Sequence, residues 1–168
     1  MTDNNTENQT ATCDIADLYG DKVQSCDTQF FNYGGKTSFC GEISTIICFQ
    51  DNGLVKKVLN SPKKNGVLVI DGHASMHTAL MGDMIAQAAI DNGWNGVIIN
   101  GPVRDRATLA KMDLGVKALG SNPRKSAKDG VGTVDAPAAF GGVTFHPGHY
   151  VYADVDGVVV TPEPVAMD

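Results

Sequence analysis

Asp83 and the pair Arg104-Asp105 are the residues of this chain whose types and spacing could do chemistry. Twenty residues, 84 to 103, separate the first acid from the arginine. Asp83 follows Gly82 at the opening of a helical pattern. Arg104-Asp105 follows Gly101-Pro102-Val103 and an apolar run, Gly96-Val97-Ile98-Ile99-Asn100, that reads as a buried strand. An arginine and two carboxylates are thereby expected on loops anchored by a strand end and a helix start. Asp offers a hard oxygen to Mg²⁺, an ion that keeps several waters and needs few protein ligands. The planar fork of Arg suits carboxylate or enolate oxygens. In open α/β sheets, ligands bind outside the carboxyl ends of the strands. The combination can hold a metal and an anionic, oxygen-rich substrate together.

Plainer readings of the same residues stand beside this one. Asp before an apolar helical run is a favoured N-cap, a role worth about 0.5–2 kcal/mol. Asp105 could cap a helix starting near Ala107, and Arg104 could be a surface cation. The cap and the chemistry are compatible, because a helix start also offers free N–H groups, here those of Met84 and Ile85, to a carboxylate ligand. Among the histidines, His73, just after Asp71-Gly72, is the one expected to line a site. His73 and His77 are four apart, but no Glu completes a zinc-protease frame. His146 and His149 flank Pro147-Gly148 and read as a turn. Neither Gly34-Gly35 nor Gly141-Gly142 belongs to a phosphate-binding loop.

The elements that must position these residues alternate in the middle of the chain. Cys13 to Tyr19 reads as a short helix, Phe39 to Phe49 as a strand, and Leu54 to Leu59 as a helix stopped by Ser61-Pro62. Gly66 to Ile70 is a second strand. Leu80 through Ile90 reads as a helix with Met84, Ile85, Ala88 and Ala89 on one face. Gly96 to Asn100 is a third strand, Ala107 to Met112 a short helix, and Val116 to Leu119 a fourth strand. This alternation implies parallel pairing with crossover helices. From Gly120 onward, short apolar runs are punctuated by glycines, and Asp156-Gly157 marks a hairpin. The fold class is therefore α/β with a β-rich ending.

Composition bounds the rest. A chain of 168 residues with 42% hydrophobic and 19% charged residues has the balance of one globular domain. We expect a disordered tail over 1–11 and a single domain over 12–168. The net charge of −6 and the short cluster Arg124, Lys125, Lys128 argue against direct nucleic-acid binding. No apolar run approaches the roughly 20 residues that span a bilayer. Four cysteines without a C-x-x-C pair, in a chain lacking a signal-peptide core, read as reduced thiols of a cytoplasmic protein.

An ordered set of motifs resembles a known family. Asp71-Gly72 with Ser75, Ala79-Leu80-Met81-Gly82-Asp83, and Asn100-Gly101-Pro102-Val103-Arg104-Asp105 are similar to the regulator of ribonuclease activity A family. That family includes the class II 4-hydroxy-4-methyl-2-oxoglutarate aldolases. Phe39-Cys40-Gly41-Glu42-Ile43, Phe140-Gly141-Gly142-Val143 and Tyr152-Ala153-Asp154 extend the resemblance to nearly the whole chain. It implies a swivelling β/β/α domain with a mixed, partly parallel sheet, assembled as a homotrimer or paired into a hexamer, with sites at subunit interfaces. It also implies roles. Asp105 would bind Mg²⁺ or Mn²⁺. Arg104 would hold a small 2-oxo acid and stabilise an enolate oxygen, and Gly82, Asp83, Met84 and Ile85 would present N–H groups to its carboxylate. Asp83 would orient water or assist proton transfer. Oxaloacetate decarboxylation would follow at the same site, since it makes the same enolate. The longer bacterial aldolases add an acidic residue from a C-terminal extension that has no match before Asp168, so weaker turnover or a different substrate is expected. The family's other branch implies a non-catalytic partner of a ribonuclease. Asp105 favours chemistry over that branch. A menaquinone methyltransferase label attached to the family fits poorly, because a glycine-rich nucleotide loop is missing.

Overall fold

The computed structural model describes residues 9–166. Of the tail expected over 1–11, residues 1–8 lie outside the described residues. Gln9 is held, its Nε2 donating to the carbonyls of Phe39 (3.2 Å) and Ala153 (3.0 Å). Helix α1 (Thr12–Tyr19) is followed by a 3-10 turn and two short strands, β1 (Gln24–Ser25) and β2 (Phe31–Asn32). The centre alternates β3 (Phe39–Ile47), α2 (Gly53–Leu59), β4 (Gly66–Asp71), α3 (Asp83–Asp91), β5 (Gly96–Val103), α4 (Arg106–Leu109) and β6 (Gly115–Ser121). Five further strands close the chain: β7 (Thr133–Val134), β8 (Ala138–Phe140), β9 (Val143–Phe145), β10 (Tyr150–Ala153) and β11 (Val158–Thr161). The mixed α/β class and β-rich ending expected from the sequence are both present.

One nine-stranded sheet runs in the order β1-β11-β10-β3-β4-β5-β6-β2, with β7 added on β3. The four strands joined through helices, β3 to β6, pair in parallel, and the outer pairings are antiparallel. Both faces of the parallel strands are covered, which is why all six residues of β4 are buried. Successive side chains point to opposite faces. Leu68 and Ile70 therefore join a core with Val55, Leu59, Ala86, Ala89 and Leu109 of the helices. Val67 and Val69 join a second core with Phe145, Val151 and Val160 of the C-terminal strands. The result is three layers, with helices on one face and β-structure on the other.

Four details depart from the sequence reading. Helix α3 starts at Asp83 rather than Leu80. Ala79 and Met81 instead make parallel bridges to Lys125 and Val103, so the backbone before the helix is extended. On α3 the buried residues are Ala86 and Ala89, while Met84 is 84% exposed. His73 and His77 lie in irregular backbone and share no helix face. Strand β5 runs to Val103, past the expected end at Asn100. Its pairing with β6 shifts register between Ile99 and Pro102. A proline cannot donate to the ladder and is tolerated at such an irregularity.

The N-terminal helix is fastened by one carboxylate. Asp154 accepts from the Thr12 N–H (2.8 Å), the Thr12 hydroxyl (2.6 Å) and the Asp156 N–H (3.0 Å). Burial pushes its carboxyl pKa up, and the donors from Thr12, Asp156 and Gly157 outweigh this and hold it below its ordinary value. A depressed carboxylate stabilises the fold above its unfolded pKa and loses that contribution as pH falls through the folded one. Asp154→Ala should destabilise the protein by roughly 2–3 kcal/mol in urea titration at pH 7. The difference from the wild type should shrink in titrations carried below about pH 4.

Candidate active site at the α3 N-terminus

The site is built where the extended stretch 79–81 runs beside the end of β5. Leu80 N–H donates to the Pro102 carbonyl (2.9 Å) and Arg104 N–H to the Met81 carbonyl (3.0 Å). These bonds bring the start of α3 against Arg104 and Asp105, although twenty residues separate them in sequence. The Asp105 Oδ2 then accepts from the Asp83 N–H at 3.0 Å. Asp105 has φ 59° and ψ 37°, the left-handed conformation that Asp tolerates better than most side chains. That turn aims its carboxylate back at α3 instead of along α4.

The capping roles therefore differ from the sequence reading. Gly82 is the N-cap of α3 and Asp83 its first helical residue. Asp105 occupies the N-cap position of α4 but makes no side-chain cap bond there. It caps α3 across space. Gly82 is required for this. A Cβ at position 82 would fall 2.5 Å from Asp105 Oδ2 and 3.1 Å from Arg104 Cγ.

Helix starts leave N–H groups without intrahelical partners. The Asp83 N–H is taken by Asp105, and the first helical bond runs from Ala86 to the Gly82 carbonyl. Among the described residues, no acceptor from outside the helix reaches the N–H groups of Met84 or Ile85. Met84 and Ile85 line a cavity of about 170 Å³ that Gly82, Asp83, Arg104 and Asp105 also line. The Arg104 Nε lies 3.9 Å from Asp105 Oδ1, close enough for attraction but beyond a hydrogen bond. Among the described residues, Oδ1 of Asp105 thus has no hydrogen-bond partner, and the side chain is about one-third exposed. All the residues singled out from the sequence as catalytic, substrate-binding or metal-binding, from Gly82 to Ile85 together with Arg104 and Asp105, meet at this one cavity.

The donor set bears on a metal. Among the described residues, no group of three or more His, Cys, Asp or Glu side chains gathers to hold an ion. A carboxylate such as that of Asp105 could serve Mg²⁺ or Mn²⁺, which accept one carboxylate oxygen and complete their shell with water and substrate oxygens. Asp105, with one uncommitted oxygen, and Asp83 beside it are the residues that fit.

Two expectations are corrected here. His73 does not line the cavity. It is exposed, with its ring 6.3 Å from that of Phe49. Conversely, Asn52, Lys125 and Lys128 do line it, and no spacing links them to Arg104. The only signal was the small basic cluster at 124–128.

Comparison with known proteins follows the geometry. The profile of the RraA-like family, described as Aldolase/RraA, matches residues 10–160. A structure from Geobacillus kaustophilus HTA426, described as an S-adenosylmethionine:2-dimethylmenaquinone methyltransferase, is 46% identical, with 93% of this chain and 97% of that one covered and a TM-score of 0.91. The RNA-processing inhibitor RraA from Thermus thermophilis is 40% identical, with 94% and 96% covered and a TM-score of 0.91. RraAS2 of Streptomyces coelicolor shares the fold at 23% identity, with 89% and 78% covered and a TM-score of 0.72. With nine-tenths of its length matched, from the first helix through the last strand, this chain belongs to the RraA-like (Aldolase/RraA) family.

Proposed function

We propose that this protein is a divalent-metal-dependent lyase that cleaves 4-hydroxy-4-methyl-2-oxoglutarate-type 2-oxo acids to pyruvate, with oxaloacetate decarboxylation as a side activity. The observation that carries this reading is the convergence of Arg104, Asp105 and the open N–H groups of α3 on one small cavity. The 2-oxo acid head binds with its carboxylate on the Met84 and Ile85 N–H groups, where the helix dipole favours negative charge. Arg104 lies beside the 2-oxo oxygen. Removal of the C4 hydroxyl proton, passed through water to Asp83, lets C4 become the carbonyl of one product as the C3–C4 bond breaks; the electron pair of that bond moves into an enolate, and the guanidinium stabilises the oxygen that gains the charge. Protonation of that enolate at C3 gives pyruvate, and Asp83 relays the protons through water. Loss of CO₂ from oxaloacetate leaves the same enolate. Asp105 would hold Mg²⁺ or Mn²⁺, which would supply Lewis-acid stabilisation of the developing negative charge.

A second reading comes from the Thermus relative, an inhibitor of RNA processing: a non-catalytic partner of a ribonuclease. The methyltransferase description of the Geobacillus relative finds less support, since the sequence carries no glycine-rich nucleotide loop. Exposed apolar side chains, Phe49, Met84 and Val131, lie on segments around the same end of the sheet and support assembly into a trimer with the cavity at a subunit boundary.

Pyruvate release from both substrates, assayed with Mg²⁺, with Mn²⁺ and with chelator, tests the proposal. Metal-dependent release is expected, and none from a folded sample would move the assignment to the ribonuclease partner. Arg104→Ala should lower kcat by about 10²–10³-fold, as removal of one oxyanion donor does. Asp105→Asn keeps an acceptor for the Asp83 N–H, so the variant should melt near the wild type. Its Mn²⁺ affinity, read by electron paramagnetic resonance, should fall at least about tenfold. Light scattering should give a trimer or a dimer of trimers, and a monodisperse monomer would remove the subunit-boundary site.

A further inference from the structure

A second cavity, of about 500 Å³, lies at the opposite end of the parallel strands from the α3 start. Asn65 and Asn95, which line it, immediately precede β4 and β5, whereas Arg104 and Asp105 follow the end of β5. The six residues of β4, at about 3.3 Å each, put roughly 20 Å between the two ends. The floor is a stretch of sheet that the helices leave uncovered. On β10, Val151 and Ala153 enter the core under the C-terminal strands, so Tyr150 and Tyr152 point to the other face. Their register partners on β3, Glu42 and Cys40, share that face. Further along β3 the same face carries Ile46 and Cys48 beneath the helices, but among the described residues no helix residue lines the cavity.

The walls of this cavity are tied down. Asn95 Nδ2 donates to the Cys40 carbonyl (2.9 Å), and the Asn65 N–H donates to the Gly93 carbonyl (2.8 Å). Gly41 lets the loop before β4 approach β3, since a Cβ there would collide with the Asn65 carbonyl. On the far side, the Tyr152 hydroxyl accepts from the Val165 N–H at 2.7 Å. The lining carries two cations, Lys36 and Lys64, and one acid, Glu42. Lys63, from outside the lining, stands 3.5 Å from Glu42 and compensates it. Lys64 has no ion pair among the described residues. Lys36 lies 3.6 Å from Asp113, whose side chain is 80% exposed and therefore a weak competitor for the ammonium. The cavity is thus positive in a chain whose net charge is −6.

We propose that this cavity is a second ligand site, for a planar aromatic anion of the size of a nucleoside monophosphate, with its ring on Tyr150 and Tyr152 and its charged group on Lys36 and Lys64. The volume lies within the roughly 300–1,000 Å³ of small-molecule sites, and such sites combine aromatic surface with a few polar groups. Tyrosine faces stack on any base, because every base has a π face. The two ammonium groups supply the charge that a monophosphate needs. A triphosphate would bring Mg²⁺ with it, and the one lining acid is already engaged by Lys63. The site stands apart from the cavity at α3 and does not rest on the lyase reading.

Calorimetric titration of the full chain with AMP, UMP, adenosine and ribose 5-phosphate, without added metal, tests this. AMP or UMP should bind with a Kd below about 1 mM. Adenosine lacks the charge and ribose 5-phosphate lacks the ring, so each should bind at least about tenfold more weakly than AMP. Lys36→Ala/Lys64→Ala should bring AMP to the level of adenosine, and Tyr150→Val should bring it to that of ribose 5-phosphate. Both variants should melt near the wild type. Tyr150→Phe keeps the ring and should bind AMP as the wild type does, whatever the valine does to the sheet. Arg104→Ala should leave AMP binding unchanged, because that residue belongs to the other cavity. No measurable binding of either nucleotide would overturn the site, and so would an AMP affinity unchanged in the double lysine variant. Loss of AMP binding in Arg104→Ala would place the ligand at α3 instead, and ribose 5-phosphate binding as tightly as AMP would remove the ring from the proposal; either result overturns it.

Discussion

The bond from the Asp83 N–H to the Asp105 carboxylate is the constraint on which the site depends. It ties a helix start to a strand end across a gap of more than twenty residues, and it fixes the distance between the open N–H groups of α3 and the Arg104 guanidinium. Three features of the chain exist in its service. Gly82 leaves the space that a Cβ would fill. Asp105 takes a left-handed conformation so that its carboxylate turns toward α3. Pro102 sits where the β5–β6 pairing shifts, and its carbonyl accepts from Leu80 to bring the 79–81 stretch alongside. The cost of a strained backbone residue, of order 1–3 kcal/mol, persists only where surrounding structure enforces it. Here the flanking bridge of Met81 to Val103 does so.

The sheet and helices were largely legible because their patterns are local. Gly66 to Asp71 is an unbroken apolar run up to its acid, and a parallel strand covered on both faces needs such a run. The order of the outer strands was not legible. That β10 lies between β3 and β11 is set by the register of Tyr150 with Glu42 and with Thr161, a long-range pairing without a local signature. The start of α3 was misread because Leu80 and Met81 continue an apolar pattern into the helix, while in space they belong to the β5 side. For the same reason Met84 was placed on the buried face and lies outside.

The site divides in the same way. Asp83, Arg104 and Asp105 could be picked out because they sit at element boundaries, where acids and arginines stand out against apolar runs. Their meeting is expected from their places at a strand end and a helix start, where α/β sheets bind ligands, and from the family resemblance, since twenty intervening residues carry no geometric information of their own. Lys125 and Lys128 were visible only as a small basic cluster. What delivers them is Asp51, whose carboxylate gathers N–H groups from residues 129 and 130, nearly eighty positions away. Burial pushes the Asp51 carboxyl pKa up, but these donors outweigh that and hold it below the ordinary value, so the clamp is charged at neutral pH.

A last consideration bears on why an acid stands at position 105. The fold requires only an acceptor for the Asp83 N–H, and Asn or Ser would provide one. A second carboxylate beside Asp83 adds repulsion that a neutral acceptor would avoid. Arg104 at 3.9 Å offsets part of it, but both side chains are about one-third exposed, where such pairs contribute little. Stability alone therefore gives little reason to prefer Asp to Asn: the dipole of α3 favours the charge by about 0.3–1 kcal/mol, and the repulsion from Asp83 opposes it. The charge gains a physical rationale once a cation enters the cavity, because the open Oδ1 then has a partner and the repulsion with Asp83 is relieved.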